Sequence, residues 1–463
     1  MNIHDVTNGG IVNYNIIRNP WLFMVFKDST TRRLSIIEAL EKAKQAHLAY
    51  SNPMDRVAVF RFLLAAMYWC WKETAVPIQG DRIPKEWVDY LEGKADLFEF
   101  LGEGKRFMQR SGLSRLRPAS ELIHEIPKGN NFWHFYHIRD YTAGICTHCM
   151  VSGTLRLPLF FVSGRPNLKS GINGSPPIYA IRWGKNLWDT ICLNWQPRED
   201  LGEPIWVEPY RYKPEEKVPL LSGMTVPARL LYIDDPILDD RPCCVCGERP
   251  GSLHYTCKFE AAGTLENPNW RDPFEIRSAE KTTKASDITG TKKLKYDVKT
   301  HRLLPHIMDS MNVKPGDRIL LVGFAVDKAK YVDIWERVIR VPKEKIAEDS
   351  IELLSNLHKS IKQTASNTYL PNRKARKDRA KKLKESLQND LLPDAESKVD
   401  KLMKEYLAGE LTFDAIASVY SKYTRTAARM LVTGISSKQI SDRNLIAYSL
   451  PKAITENDSG KKQ

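Results

Sequence analysis

The pattern of apolar and polar positions divides the chain into a long mixed region and a polar helical one. Ser35 and Glu38 stand just ahead of, and within, the apolar set Ile36, Ile37, Leu40 and Ala43, and this capping-box spacing predicts a helix starting at Ser35. Residues 56–68 (RVAVFRFLLAAMY) are apolar almost throughout and predict a buried helix. Helical signals continue to about Gln109. From there to Ile339, short β-branched and aromatic runs alternate with Pro, Gly and Asn, the texture of strands and loops. Four runs predict strands, at residues 159–162, 178–183, 230–233 and 319–322.

After Pro342 glycine almost disappears. Ile351, Leu354, Leu357 and Ile361 recur at helical steps, as do Phe413, Ile416, Tyr420, Tyr423, Ala427 and Met430. One-faced helices must bury their stripes against each other, so residues 343–450 predict a helical bundle packed on the larger domain. Residues 451–463, ending in ENDSGKKQ, read as a disordered tail. The expected fold class is α+β, with a large mixed α/β domain over residues 1–342 and the bundle after it. No repeat of solenoid or propeller length is present.

Composition narrows the class of protein. At 463 residues, with 11 Trp and 18 Tyr, the chain has the length and the bulky side chains of a multidomain globular protein, which excludes a peptide scaffold or a disordered chain. Seventy Lys and Arg against 56 Asp and Glu leave a formal charge of +14, which favours a polyanionic partner, nucleic acid ahead of acidic lipid. The longest apolar run, residues 57–71, is broken by Arg61, so no membrane span is expected. The N-terminus lacks the pattern of a secretory signal, and a cytoplasmic location is expected.

In a reducing compartment the eight cysteines are not expected to form disulfides. Four of them make two C-x-x-C pairs, Cys146-Thr-His-Cys149 and Cys243-Cys-Val-Cys246. Four thiolates close a tetrahedral zinc site with no position left for water, so such a site is structural. Cys243 gives the two-residue gap of a knuckle and Gly247 follows the pair; Cys244 is the less suitable ligand. Three rival chemistries and one bland reading stay open at this point. A thioredoxin-like redox pair needs a βαβ context. A zinc deaminase needs H-x-E, whereas His124 and Glu125 are adjacent. An HNH-type nuclease needs more histidines than His254 beside the knuckles. The four cysteines can also be unrelated core residues.

Between the knuckles lies Lys169-Ser-Gly-Ile-Asn-Gly-Ser-Pro-Pro177. Gly171 and Gly174 allow close backbone approach to a ligand, Lys169 supplies charge, and Asn173 supplies a donor and an acceptor. Taken alone, this is also what a plain turn looks like.

The order of motifs adds to it. A first knuckle, K-S-G-x-x-G with Pro close behind, and a second C-x-x-C-G are accompanied by Asn19-Pro-Trp21, Arg56-Val-Ala, Phe107-Met-Gln109, Val226-Pro-Ala-Arg-Leu230, Arg271-Asp-Pro-Phe274 and Gly323-Phe-Ala-Val-Asp-Lys-Ala-Lys330. The colinear set, covering most of the chain, resembles the large subunit of the type I-E CRISPR Cascade complex, the CasA family. The resemblance implies a large N-terminal α/β domain with a zinc site and a C-terminal four-helix bundle. It implies a non-catalytic subunit of an RNA-guided surveillance complex that recognises the protospacer-adjacent motif in double-stranded target DNA, starts strand separation and R-loop formation, and helps recruit a separate helicase-nuclease. Its partners would be the other Cascade subunits and the guide RNA.

Residue by residue, the family's glycine loop maps onto residues 169–175, and its strand-separating wedge onto Asp327, Lys328, Ala329 and Lys330. The wedge would lie between the run at 319–322 and a helix expected from about Val332. The best-known wedge presents Gln, where this chain has Asp-Lys-Ala-Lys. The family's basic residue that touches the motif would fall near Lys258, and the aromatic loop at residues 128–141 corresponds to a family segment contacting the guide end or neighbouring subunits, though its residues fit packed loop aromatics equally well. Minor-groove edges offer a degenerate pattern that suits loose recognition by such a loop, while guide pairing carries the sequence specificity.

Two further segments suit a polyanion. Residues 372–384 carry eight Lys and Arg in thirteen residues, which suits a duplex backbone or displaced strand and equally a solvated helix face. Residues 281–302 are polar, basic and poor in large apolar side chains, and read as a flexible insertion. The alternative from another class is a zinc-dependent enzyme acting on nucleic acid, which requires an open metal position and a nearby Glu or His base.

Overall fold

The computed structural model describes residues 12–78, 80–123, 143–160, 172–173, 178–196, 198–209, 216–227, 229–262, 269–278, 292–293, 311–314, 316–327 and 330–341, together with Glu405 and Ala415. In chain order they form β1 (Tyr14–Asn15), β2 (Leu22–Phe26), β3 (Thr31–Leu34), α1 (Ile36–Glu41), β4 (Ala46–Leu48), α2 (Pro53–Thr74) and α3 (Lys85–Gly93). There follow β5 (Glu99–Leu101), β6 (Leu116–Pro118), α4 (Thr147–Phe160), β7 (Tyr179–Arg182), α5 (Leu187–Asn194), α6 (Leu220–Thr225), β8 (Arg229–Ile233), β9 (Ile237–Leu238) and β10 (Ser252–Leu253). The last are β11 (Thr256–Ala261), β12 (Arg277–Ser278), β13 (Lys292–Lys293), β14 (Arg318–Asp327) and β15 (Lys330–Arg340). The chain divides into two compact units, Met1–Asp297 with Ile319–Val338, and Val298–Arg318 with Ile339–Gln463.

Helix α2 is the axis of the first unit. Asn52 caps it, its side chain accepting from the Met54 N–H at 2.8 Å, and Pro53 sets the first helical φ; it stops at Ala75, whose φ of 54° is left-handed. Its residues from Val57 to Cys70 are all buried, so it is covered all round, and it packs against α3, α4 and α6. At its flank Phe62, Trp69, Phe98, Phe107 and Trp206 form a ring cluster with centroids 5.4 to 6.2 Å apart, within the range of favourable edge and offset contacts.

The helix expected from Ser35 is present with its capping box: Glu38 N–H donates to Ser35 Oγ at 3.2 Å and Ser35 N–H to Glu38 Oε2 at 2.8 Å. Three of the four expected strands are found as β7, β8 and part of β14. They belong to two antiparallel sheets, of order β6-β11-β8 and β7-β14-β15. Ile319, Leu320, Leu321 and Val322 are all buried, so β14 is covered on both faces.

Some expectations are overturned. Leu159 and Phe160 close helix α4, not a strand, because a short run that is apolar throughout looks the same in either element. Residues 12–48, where the sequence pattern predicts only the helix at Ser35, also hold the antiparallel sheet β3-β2-β4, with a tight turn at Ser29 (φ 65°) joining β2 to β3. The helix expected from about Val332 is strand β15, where Val332, Ile334 and Val338 recur at even spacing. Within residues 281–302, expected to be a flexible insertion, Lys292–Lys293 pair with Arg277–Ser278.

In the second unit, Gly316 N–H donates to Val341 O and Val341 N–H to Asp317 O, each at 2.8 Å. Glu405 and Ala415 are helical. The rest of the bundle expected at 343–450, the tail at 451–463 and the basic stretch at 372–384 lie outside the described residues.

Candidate metal centre and nucleic-acid interface

Backbone pairing brings the two distant knuckles together. Ile145 and His254 exchange both hydrogen bonds, at 3.0 and 2.8 Å, and Cys244 N–H donates to Gly144 O at 3.0 Å. A Cβ at Gly144 would stand 2.6 Å from Leu253 Cδ1, so glycine is what permits the approach. Cys146 directly precedes α4 and Cys149 lies in its first turn. The second knuckle closes with Gly247 N–H on Cys243 O at 2.9 Å, with Gly247 at φ +76°, a conformation costly for other residues.

The sulfur atoms of Cys146, Cys149, Cys243 and Cys246 all lie within 4.8 Å of one another, and those of Cys146 and Cys246 are 3.7 Å apart. A tetrahedral ion with metal–sulfur bonds of about 2.3 Å separates its ligands by about 3.8 Å, so the cluster fits a metal closely. Cys243 Sγ also accepts backbone N–H groups from Cys146 at 3.3 Å and Val245 at 3.5 Å, as a thiolate ligand would. Hydrogen bonds among the four thiols hold Cys243 and Cys246 below the usual thiol range and push Cys146 and Cys149 above it. Such crowding favours exchanging protons for a cation. Cys146, Cys149 and Cys243 are buried and Cys246 is exposed.

Among the described residues the rival chemistries lack their parts. Cys146 does stand at a helix N-terminus, but two further thiols share its site. His254 is fully buried, with Nδ1 2.8 Å from Asp234 O and Nε2 3.0 Å from Thr147 Oγ1; burial pushes it down to about 4. It braces the first knuckle and has no nitrogen free for a base. His124 and Glu125 lie outside the described residues.

Asn173, expected to offer a donor and acceptor to DNA, is instead 2% exposed and fully engaged inside the protein. Its Nδ2 donates to Tyr179 Oη at 2.9 Å and Asp272 Oδ2 at 3.2 Å, and its Oδ1 accepts from Trp270 Nε1 at 2.6 Å. Asp272 is itself paired with Arg61 of α2 at 2.6 Å, and Tyr179 Oη donates to Leu159 O at the end of α4 at 3.0 Å. Asn173 therefore ties its segment to a buried polar network. In the sequence, the one available sign of that network was a charged residue, Arg61, inside an otherwise apolar helix.

The other expected contacts are placed as follows. Lys258 lies on β11, its Nζ 3.8 Å from Asp234 Oδ1 and 5.3 Å from the Tyr232 ring centroid. Asp327 ends β14 and Lys330 begins β15, so Lys328 and Ala329 connect adjacent strands of one sheet. Arg56 Nη2, 2.6 Å from Glu336 Oε2, ties β15 to α2. Lys169, Gly171, Gly174, Lys328, Ala329 and the loop at 128–141 lie outside the described residues. Among the described residues no helix is long and apolar enough to cross a membrane.

Comparison with known proteins bears on the whole arrangement. The family described as CRISPR-associated protein Cse1 matches residues 15–289. No curated protein matches the chain. Among solved structures it is similar to CasA of Thermus thermophilus, with 17% identity and a TM-score of 0.68 over 96% of this chain and 100% of that one. Cse1 of Thermobifida fusca gives 14% identity and a TM-score of 0.65 over 96% and 97%. A chain of a CRISPR RNA-guided surveillance complex gives 14% identity and a TM-score of 0.64 over 96% and 100%.

Proposed function

The chain belongs to the CRISPR-associated Cse1 family, the large, non-catalytic subunit of the type I-E Cascade complex, and from that membership we propose that it reads a short motif in target duplex DNA and opens the strands beside it. In this reading it works in the cytoplasm with the other Cascade subunits and the guide RNA, nucleates the R-loop, and helps recruit a helicase-nuclease. The observation that carries it is the match to the Cse1 family over residues 15–289; the four-cysteine cluster fits one structural zinc ion and spends all four ligand positions on thiolates. Zinc there would hold the two knuckles together; Cys146, Cys149, Cys243 and Cys246 would be its ligands. The alternative of a zinc enzyme acting on nucleic acid has no open metal position in that cluster.

The chain's own residues divide the work. Lys169, Gly171 and Gly174 approach the minor groove, and Asn173 fixes their segment from inside. Lys258 meets a phosphate near the motif. Residues 327–330, joining two paired strands, enter the base step below the motif, where unstacking costs a few kcal/mol. The net charge of +14 supplies the sequence-independent attraction.

The test is R-loop formation by the assembled complex. Replacing Lys328, Ala329 and Lys330 together by Gly is expected to slow it by about ten-fold or more on a linear duplex, with recovery on a target mismatched at the first pairs beside the motif. Alanine replacements in residues 372–384 are expected to weaken both targets alike, flattening the salt dependence by about 0.9 per lost phosphate contact. Rescue of the basic-segment variant by the mismatched target, with none for the Gly variant, would reverse the two assignments.

A further inference from the structure

Arg33 stands beside the four-cysteine centre although it lies far from both knuckles in sequence. Its guanidinium forks onto Glu248, with Nη2 2.8 Å from Oε2 and Nε 3.0 and 3.3 Å from Oε2 and Oε1. Glu248 belongs to the second knuckle, where its carbonyl oxygen accepts the Cys243 N–H at 2.7 Å. Phe23 supports the guanidinium, its ring centroid 5.6 Å away. A cavity of about 530 Å³ is lined in common by Arg33, Glu248, Cys149 and Cys246.

We propose that Arg33 is the outer cation of the metal centre, offsetting the net charge of 2− that four thiolates leave on a divalent ion, and that Glu248 holds it in place while weakening that effect. The inference rests on the reading of the four cysteines as zinc ligands. Two backbone N–H groups on Cys243 compensate only part of the charge. Arg156, the other arginine lining the cavity, is 1% exposed and bound at 2.7 Å to Asp55 of α2, whereas Arg33 is bound to the second knuckle itself. Among the described residues lining the cavity, Arg33 is the cation joined to a knuckle and so placed to slow metal loss. Partners outside the ligand shell commonly change metal affinity by about 10 to 100-fold.

A purely mechanical tie between β3 and the second knuckle predicts something different, and the two ideas separate by sign. The experiment follows transfer of zinc from the purified full-length chain to excess colorimetric chelator. Arg33→Met is expected to speed release by about 10-fold or more, and Arg33→Lys by less. Glu248→Gln breaks the same bridge but leaves the cation undiminished, so its release is expected to be as slow as in the unmodified chain, or slower. Equal acceleration by Arg33→Met and Glu248→Gln overturns the proposal in favour of the mechanical tie, as does an unchanged rate in Arg33→Met. If Arg33→Met loses its metal during purification, cobalt(II) titration of the unmodified chain and Glu248→Gln decides: tighter or equal thiolate-to-cobalt binding in Glu248→Gln supports it, and weaker binding overturns it. An unmodified chain that binds neither metal overturns the zinc reading and this inference together; one that binds zinc while Arg33→Met behaves normally overturns this inference alone.

Discussion

Cys149→Ser is expected to abolish stoichiometric zinc binding and to unfold the surroundings of both knuckles. Cys149 is 8% exposed and enters the site from the first turn of α4, so its loss removes one of four thiolates and leaves a buried position without a partner. Structural zinc contributes on the order of 10 kcal/mol to local folding, more than the whole stability of many domains. Elemental analysis and thermal melting measure both effects. The control is Cys244→Ser, which removes an exposed thiol outside the cluster and is expected to change stability by less than about 0.5 kcal/mol. Unchanged zinc content and melting in Cys149→Ser, or equal damage from Cys244→Ser, would sink the ligand assignment.

The second large effect is expected at Asp272. Asp272→Ala leaves the Arg61 guanidinium buried without its carboxylate and removes acceptors used by Asn173 and by the Phe274 N–H. The side chains of this pair are 3% and 0% exposed, so the cost is about 3 to 5 kcal/mol. Replacing both partners, as Arg61→Met with Asp272→Leu, is expected to recover much of it, because no lone charge remains. Urea unfolding of the unmodified chain and the two variants measures the difference; a single variant no less stable than the double one would show that the pair is not the source of the cost.

What was legible in the sequence follows from how locally each feature is specified. The capping box at Ser35 and the buried helix through residues 56–68 depend on neighbouring residues, and both were readable. The metal cluster was readable because spacing within each knuckle is local chemistry, although the link between knuckles is made by Gly144 and the Ile145–His254 pair, which no spacing reveals. Leu159 and Phe160 were misread because complete burial erases periodicity. β15 was misread where charged residues interrupt its β-branched positions. Asn173 was misread for another reason: a polar side chain in a Gly-Pro context looks solvent-facing, and its actual partners, Tyr179, Trp270 and Asp272, come from separate segments. The Arg33–Glu248 bridge was likewise hidden, since it joins a strand near the start of the chain to a knuckle near its middle.

Helix α4 has Cys146 and Cys149 at its head, and the carbonyl of Leu159 near its foot receives Tyr179, the partner of Asn173. Its 14 residues span about 21 Å, with Pro158 inside its last turn. If zinc sits at the head and target DNA is read near the foot, the two equilibria share one mechanical element, and linkage makes the exchange mutual. Metal that tightens the grip on DNA must itself be held more tightly by the same factor once DNA is bound. A thiolate centre remote from the target would then act as a thermodynamic gauge of target engagement.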